Sequence, residues 1–514
     1  MEKKYCDFLS EISPEELYVG LLCYGMFAKN LPPIFTSLPF FNYSQTKKVK
    51  YSEKEWHDFV SYTSMRNINI PRVFGIPTPM KYLNLCKVLK DNWELLKKHF
   101  YKQTLNQDYK ISRIHLRKMK DKRELFEMNY KNWKVDGSPD TDLLFLNNCI
   151  KKASKYLVKA DISTCFPSFY SHSIPWALVG KQQSKINSCK DDLWYNKIDN
   201  ACSSLKNGET HGLLIGPHAS NLLSEVVLTC IDKILYDKDY RFIRNIDDYD
   251  CYVDSFEQAQ QFLHDLEEAL HEFDFSMNHK KTAILKLPIP SSKNWVHRLN
   301  SYLSVVKGEM DYKAINSFVD LAISLALENG DSAVLKYAIK AIAGSELSYG
   351  AKKLAAKRIL HLSILYPYLI PIIEYYVFEP LDVSVDLIKD YSDALYVDSK
   401  KSFNYEGIYF AIYYSIRYGF KLDTLDIDWV IKRGDCVLLL MTWLYYLNIN
   451  NGNKRATDLK PLIKIAKNLK DVNMDRYWLF CYEVLPINSL AGDWKQMKKN
   501  DVSFLSINKP ANDC

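Results

Sequence analysis

The sequence predicts an α+β layer over residues 1–290, followed by an all-α, repeat-like array of helices over 291–514. Three observations predict it. A short apolar strand, Tyr156 to Ile162, carries one aspartate near its end, and the run from Phe242 to Val253 reads as a hairpin with Asp247 and Asp248 at its tip. Two amphipathic helices, 219–235 and 257–273, lie beside that hairpin in the chain. Beyond Pro288-Ile289-Pro290-Ser291-Ser292, strand patterns thin out and helical periods dominate, as in 315–327, 332–343 and 350–365. Helix pairs of that length suit an α-solenoid-like array, although no strict repeat is present.

At 514 residues the chain is long enough for a large core and two to four domains. Its 47% hydrophobic and 25% charged residues are those of a globular protein. The net charge of +7 is modest, but residues 81–134 hold fifteen Lys or Arg against six Asp or Glu, a net of +9. Such a segment suits a phosphate-binding surface or a solvated face. The 12 cysteines form no CxxC pair and no zinc-like cluster, which fits reduced thiols. The N-terminus, MEKKYCDFLSEIS, is not a signal peptide, and the most apolar run, Val437 to Ile449, is too short to cross a bilayer. The expected location is cytoplasmic, with no membrane partner.

Taken in order, residues 1–60 carry short helical patterns, a break at Pro32-Pro33 and several tyrosines, including Tyr5, Tyr18, Tyr24 and Tyr43. The stretch from Arg66 to Pro79 holds three prolines and a glycine, so it reads as extended backbone, with arginines placed for phosphate contacts. A single helix is expected over 82–100. Residues 111–130 read as two strands around a charged turn, a basic ribbon on which Arg113 and Arg117 share a face, with Lys118 beside them. The segment 182–210 reads as a polar insertion. Gly212 and Gly216 flank a loop that enters the helix at 219, where glycine allows close backbone approach. A basic helical stretch is expected at 454–470.

The order of pieces, acid-ended strand, glycine-flanked loop into a helix, acid-tipped hairpin and then Lys281 in Met277-Asn278-His279-Lys280-Lys281-Thr282, resembles the palm of a reverse transcriptase. The basic ribbon then corresponds to the fingers, folding over a nucleotide's triphosphate through Arg113, Arg117 and Lys118. Nucleotidyl transfer uses two magnesium ions about 4 Å apart, and magnesium takes carboxylate oxygens. Asp161 and Asp247 are the expected ligands, with the Ile162 carbonyl and Asp248 in support and manganese as a substitute metal. The resemblance makes Phe166 a steric gate against the 2′-hydroxyl, hence deoxynucleoside triphosphates as substrate. It places Ile215 and Gly216 against the nascent pair and Lys281 near the departing pyrophosphate.

Two positions depart from the usual reverse-transcriptase pattern: Asn245 stands two residues before the acid pair, and Ile215 stands where glutamine is usual. With Ile215-Gly216-Pro217, the run Asn129-Tyr130-Lys131-Asn132-Trp133 and a long helical C-terminal half, the chain resembles the abortive-infection reverse transcriptases of the AbiK and prophage-borne types. That resemblance implies anti-phage defence, a homo-oligomer (trimer or hexamer) and untemplated synthesis of single-stranded DNA. It also implies priming by a tyrosine of the protein, which leaves the product covalently attached. The N-terminal tyrosines are the expected source, on a segment mobile enough to reach the cleft. A templated, retron-like enzyme and a catalytically inactive nucleic-acid-binding scaffold are the competing readings.

Overall fold

A computed structural model of the chain describes residues 5–46, 55–65, 70–113, 117–118, 126–127, 146–289, 293–306 and 308–506. It is a mixed α+β fold. Its strands are β1 (Phe59–Met65), β2 (Pro71–Pro77), β3 (Arg117–Lys118), β4 (Phe126–Glu127), β5 (Tyr156–Asp161), β6 (Arg241–Asn245), β7 (Asp248–Val253) and β8 (Ala283–Lys286). They form three antiparallel sheets: the hairpin β1–β2, the pair β3–β4, and a four-stranded sheet in the order β6-β7-β5-β8.

Strand alternation decides what each face of the larger sheet carries. Phe242 and Arg244 of β6 stand in register with Cys251 and Tyr249 of β7, and all four are buried. This face packs on the helices His218–Asp237 and Phe256–Glu272, with Phe262 of the second helix against Phe242. The opposite face carries Asn245, Asp248 and Asp161, with Asp248 in register with Asn245 on one side and Asp161 on the other. Ser255 starts the second helix, its side chain accepting from the Gln258 N–H.

From Asn294 on, the regular elements among the described residues are helices, apart from an isolated bridge at Met310 and Leu347 and one at Leu505. The punctuation is local chemistry. Asp311, Ser348, Ser384, Asn404, Asp426 and Asp435 each accept a backbone N–H at a helix start, while Gly330, Gly419 and Gly434 end helices in the left-handed conformation. This half grips the β1–β2 hairpin. Glu406 accepts from Ser64 Oγ and the Met65 N–H, both at 2.9 Å, and Arg476 pairs with Asp58 at 2.6 Å. Among the described residues no helix is long and apolar enough to cross a membrane, and the eleven cysteines are free thiols.

Several expectations need correction. The helix expected over 82–100 is two, Pro79–Asp91 and Trp93–Thr104, parted at Asn92. The polar insertion contains the helices Lys181–Ile186 and Trp194–Ser203, the second with Tyr195, Ile198, Ala201 and Cys202 buried on one side. The basic helix begins at Lys460 rather than 454. Arg66 and the Asn129–Trp133 run lie outside the described residues.

Candidate active site

β5 ends at Asp161 and β7 begins at Asp248, and the antiparallel register sets these two residues opposite each other. The intervening turn, Ile246-Asp247, adds the third acid. Ile246 has φ +61°, a conformation that a β-branched side chain adopts only at a cost of order 1–3 kcal/mol. The outcome is one carboxylate oxygen from each of Asp161, Asp247 and Asp248, all within 4.8 Å of one another. Backbone bonds lock the arrangement. The Ile162 N–H donates to the Asp247 carbonyl at 3.0 Å, and the Asn278 N–H donates to the Asp161 carbonyl at 2.7 Å.

The three acids are held differently. Asp161 is buried, and its Oδ2 receives Lys281 Nζ at 2.8 Å and Asn278 Nδ2 at 2.9 Å. Its Oδ1 is buried and accepts no hydrogen bond. Burial, then the Asp161 charge, raises the pKa of half-buried Asp247. Asp248 is exposed as a residue, but partial burial of its carboxyl, then the charges of Asp247 and Asp161, lifts it to about 6. Three crowded carboxyls, of which Asp247 and Asp248 resist ionisation, with one buried oxygen of Asp161 left without a partner, form the donor set a hard divalent cation takes.

The other expected residues fall around this end of the sheet. The bridge from Ile162 to Met277 is bonded through the Ser163 N–H and the Asp161 carbonyl, so the Ile162 carbonyl takes no part in it. Phe166 is 9% exposed on the short helix Cys165–Ser168, and its carbonyl accepts from the Leu213 N–H at 2.8 Å. The Ile215 carbonyl accepts from the Gly75 N–H at 2.9 Å. Gly216, at φ +131°, lies so close to β2 that an added Cβ would stand 3.3 Å from the Gly75 carbonyl oxygen. Lys281 touches Asp161 with its side chain 61% exposed.

Arg113 differs from its expectation. It is 1% exposed, and its N–H donates to the Arg244 carbonyl, so residues 111–113 run along the edge of β6 instead of joining the ribbon. Among the described residues the ribbon comprises β3 and β4, where Arg117 and Lys118 stand in register with Glu127 and Phe126. Sequence reasoning gave no role to Asn278 and placed Arg72 only among the arginines expected to contact phosphate. Asn278 sits in the same run as Lys281 and fixes the same carboxylate. Arg72, on β2, lies near enough for its charge to favour ionised Asp247, with its guanidinium 5.9 Å from the Phe74 ring centre.

No family model matches the sequence, and no curated protein matches it. Among solved structures the chain is similar to apo telomerase from Candida tropicalis truncated from its C-terminal domain, at 14% identity and a TM-score of 0.32 over 49% of this chain and 54% of that one. It is similar to apo telomerase from the same organism at 12% identity and a TM-score of 0.33, over 82% of this chain and 72% of that one. Telomerase from Candida albicans, in complex with the TWJ fragment of telomeric RNA, follows at 10% identity and a TM-score of 0.30 over 89% and 69%. The chain thus spans about half the length of the first of these. At TM-scores near 0.3 such likeness does not define a shared fold, and the chemistry is read from the carboxylates themselves.

Proposed function

We propose that this chain is a metal-dependent nucleotidyltransferase of reverse-transcriptase type, with the four-stranded sheet as its palm. The observation that carries the reading is the set of three carboxylates from a strand end and the neighbouring hairpin tip, within 4.8 Å of one another, one with a buried oxygen that lacks a partner. Magnesium, or manganese in its place, would there activate the attacking hydroxyl and neutralise the leaving pyrophosphate. In this reading Asp161, Asp247 and Asp248 hold the metals, with the Ile162 carbonyl in support. Asn278 and Lys281 keep Asp161 oriented, and Phe166 excludes the 2′-hydroxyl of a ribonucleotide. Arg117 and Lys118 meet the triphosphate from the ribbon. Residues 1–290 make up the polymerase unit and 291–514 a helical unit braced against it.

The finer reading is untemplated, protein-primed synthesis of single-stranded DNA by a homo-oligomer that acts in anti-phage defence in the cytoplasm. Its support is chemical: Asn245 and Ile215 lack the side chains that hold a templated primer end. In this reading Tyr5 and Tyr18 are poor sources of the priming hydroxyl. Both are buried, with Tyr5 Oη donating to Glu225 and Tyr18 Oη bonded to Ser44.

Purified protein incubated with labelled deoxynucleotides and magnesium, with and without template, tests both levels. Polymer formed with metal and lost on chelation is the expected result. Label that stays on the protein through denaturation supports the finer reading. Product that appears only with template replaces that reading by a templated enzyme, and no incorporation under any condition sinks the polymerase.

A further inference from the structure

Behind the carboxylate turn lies a second charged cluster that the chemistry above does not use. Arg244 stands on β6, three residues before Asp247, on the face turned toward the helix His218–Asp237, and its side chain is fully buried. All five of its N–H bonds have acceptors. Nε and Nη2 grip Asp232 at 2.8 and 2.7 Å, and Nη1 and Nη2 reach Glu225 at 2.7 and 3.2 Å. The remaining Nη1 hydrogen goes to the carbonyl of Ile246 at 2.9 Å. Ile246 is the turn residue in the left-handed conformation.

The surroundings hold the guanidinium in one place. Glu225 also accepts from Tyr5 Oη at 3.1 Å and Ser112 Oγ at 2.9 Å, so the first helix and the segment beside β6 brace it. The Arg244 N–H donates to the Ile111 carbonyl at 3.0 Å, and its own carbonyl accepts from Arg113 at 2.8 Å. An arginine fixed by two forks and two backbone bonds has no freedom left to follow a moving turn. The turn, in contrast, has two reasons to move: its β-branched residue is in an unfavourable conformation, and three carboxylates repel one another around it.

We propose that Arg244 is a positioning residue for the carboxylate turn: clamped by Glu225 and Asp232, it pins the Ile246 peptide and so keeps Asp247 and Asp248 beside Asp161 at metal-binding spacing. This rests on the metal-dependent reading of the carboxylates, and it adds that the precision of the site is set from the opposite face of the sheet. Tyr5 then serves as a brace and not as a nucleophile.

The test is Arg244→Lys, which keeps a buried cation for the two acids but cannot fork to three acceptors. The Ile162 amide, which donates to the Asp247 carbonyl, reports the turn by hydrogen exchange. Its exchange should quicken about tenfold in a variant that still melts cooperatively. Manganese binding by the whole chain should weaken roughly tenfold to a hundredfold, as it does when groups behind metal ligands are lost. Tyr5→Phe should move both readouts the same way by less. If Arg244→Lys fails to fold, Arg244→Met combined with Glu225→Gln and Asp232→Asn removes the charges together and is read identically. Unchanged Ile162 exchange and unchanged manganese affinity in either folded variant overturn the proposal, even if melting shifts. Manganese binding that is absent from the wild type, or that survives Asp247→Asn, sinks the metal reading instead, while Ile162 exchange still decides the role of Arg244.

Discussion

On the helix-packed face of the β6–β7 hairpin, one guanidinium meets two carboxylates and every one of its N–H bonds is used. On the opposite face and at the tip, three carboxylates meet the exposed Lys281, and a buried oxygen of Asp161 has no partner. Both groups are acid-rich and they lie back to back across a single sheet, the first built from β6 and the helix His218–Asp237, the second from β5, β7 and the turn before β7. The difference lies in saturation. A buried ionic cluster that satisfies itself has no capacity for a ligand, and its contribution is to specify geometry. One that leaves an oxygen unmet and crowds like charges is poised to bind something positive.

Substitutions should therefore have opposite signatures on the two faces. The largest effect is expected for Asp247→Asn. Synthesis should fall at least about a thousandfold, equivalent to about 4 kcal/mol of transition-state stabilisation. The metal-free melting temperature should stay level or rise, since a carboxyl whose pKa is raised by burial and by Asp161 is being neutralised. Asp232→Ala should do the reverse at equilibrium. Breaking a buried pair destabilises by about 3–5 kcal/mol, measurable by urea unfolding. Equal losses of stability in the two variants would erase the distinction.

The pH dependence sharpens it further. Burial and the neighbouring acids lift Asp248 to about 6, and burial lifts Asp232 to about 6 against the opposing pull of Arg244. An acid whose pKa is higher folded than unfolded stabilises the fold fully below its ordinary value, and that contribution is lost as pH rises through the folded value. Metal-free protein should thus lose stability between about pH 4 and 6 on both accounts. Magnesium should cancel the Asp248 part, because the metal favours the charged carboxylate, and leave the Asp232 part. Melting curves across pH, with and without magnesium, for wild type, Asp248→Asn and Asp232→Asn separate the two. A magnesium response that persists in full in Asp248→Asn would remove Asp248 from the metal set.

How much of this was legible beforehand follows the range of the interactions. The acid-ended strand, the hairpin and the flanking helices were readable because strand and helix periods are local, and the register of β5 with β7 then follows from burying one face. Arg113 was misread because its even spacing from Arg117 assumed one continuous strand, whereas residues 111–113 bond to β6, more than a hundred positions away. Glu225 and Asp232 carried a faint signal: acids seven apart share a face of the helix His218–Asp237, and here that face is buried. Their partner Arg244 lies in another element, so the cluster shows only when the chain is folded. The N-terminal tyrosines read as mobile because short helices have weak periodicity. Two of them, Tyr5 and Tyr18, are nevertheless buried, through long-range packing such as Tyr5 against Phe100.

The smallest effect on stability concerns Lys281, and it separates two roles for one cation. The pair with Asp161 is close, at 2.8 Å, but the lysine side chain is 61% exposed. Such a pair is worth roughly 0–1 kcal/mol, so Lys281→Met should shift melting by less than about 2 °C. Its kinetic effect should be larger. Hydrogen bonding to Asp161, and the charges of the other two acids, raise the Lys281 pKa above the usual lysine range. A lysine whose proton is held that firmly serves better as a fixed charge opposite developing phosphate charge than as a proton donor. Lys281→Met should then lower kcat about tenfold, equivalent to ~1.4 kcal/mol, with manganese binding unchanged or tighter because a competing cation has gone. Lys281→Arg, which keeps the charge and cannot release a proton, should retain most of kcat. If Lys281→Arg falls as far as Lys281→Met, proton transfer is the role of Lys281 and the fixed-charge account fails.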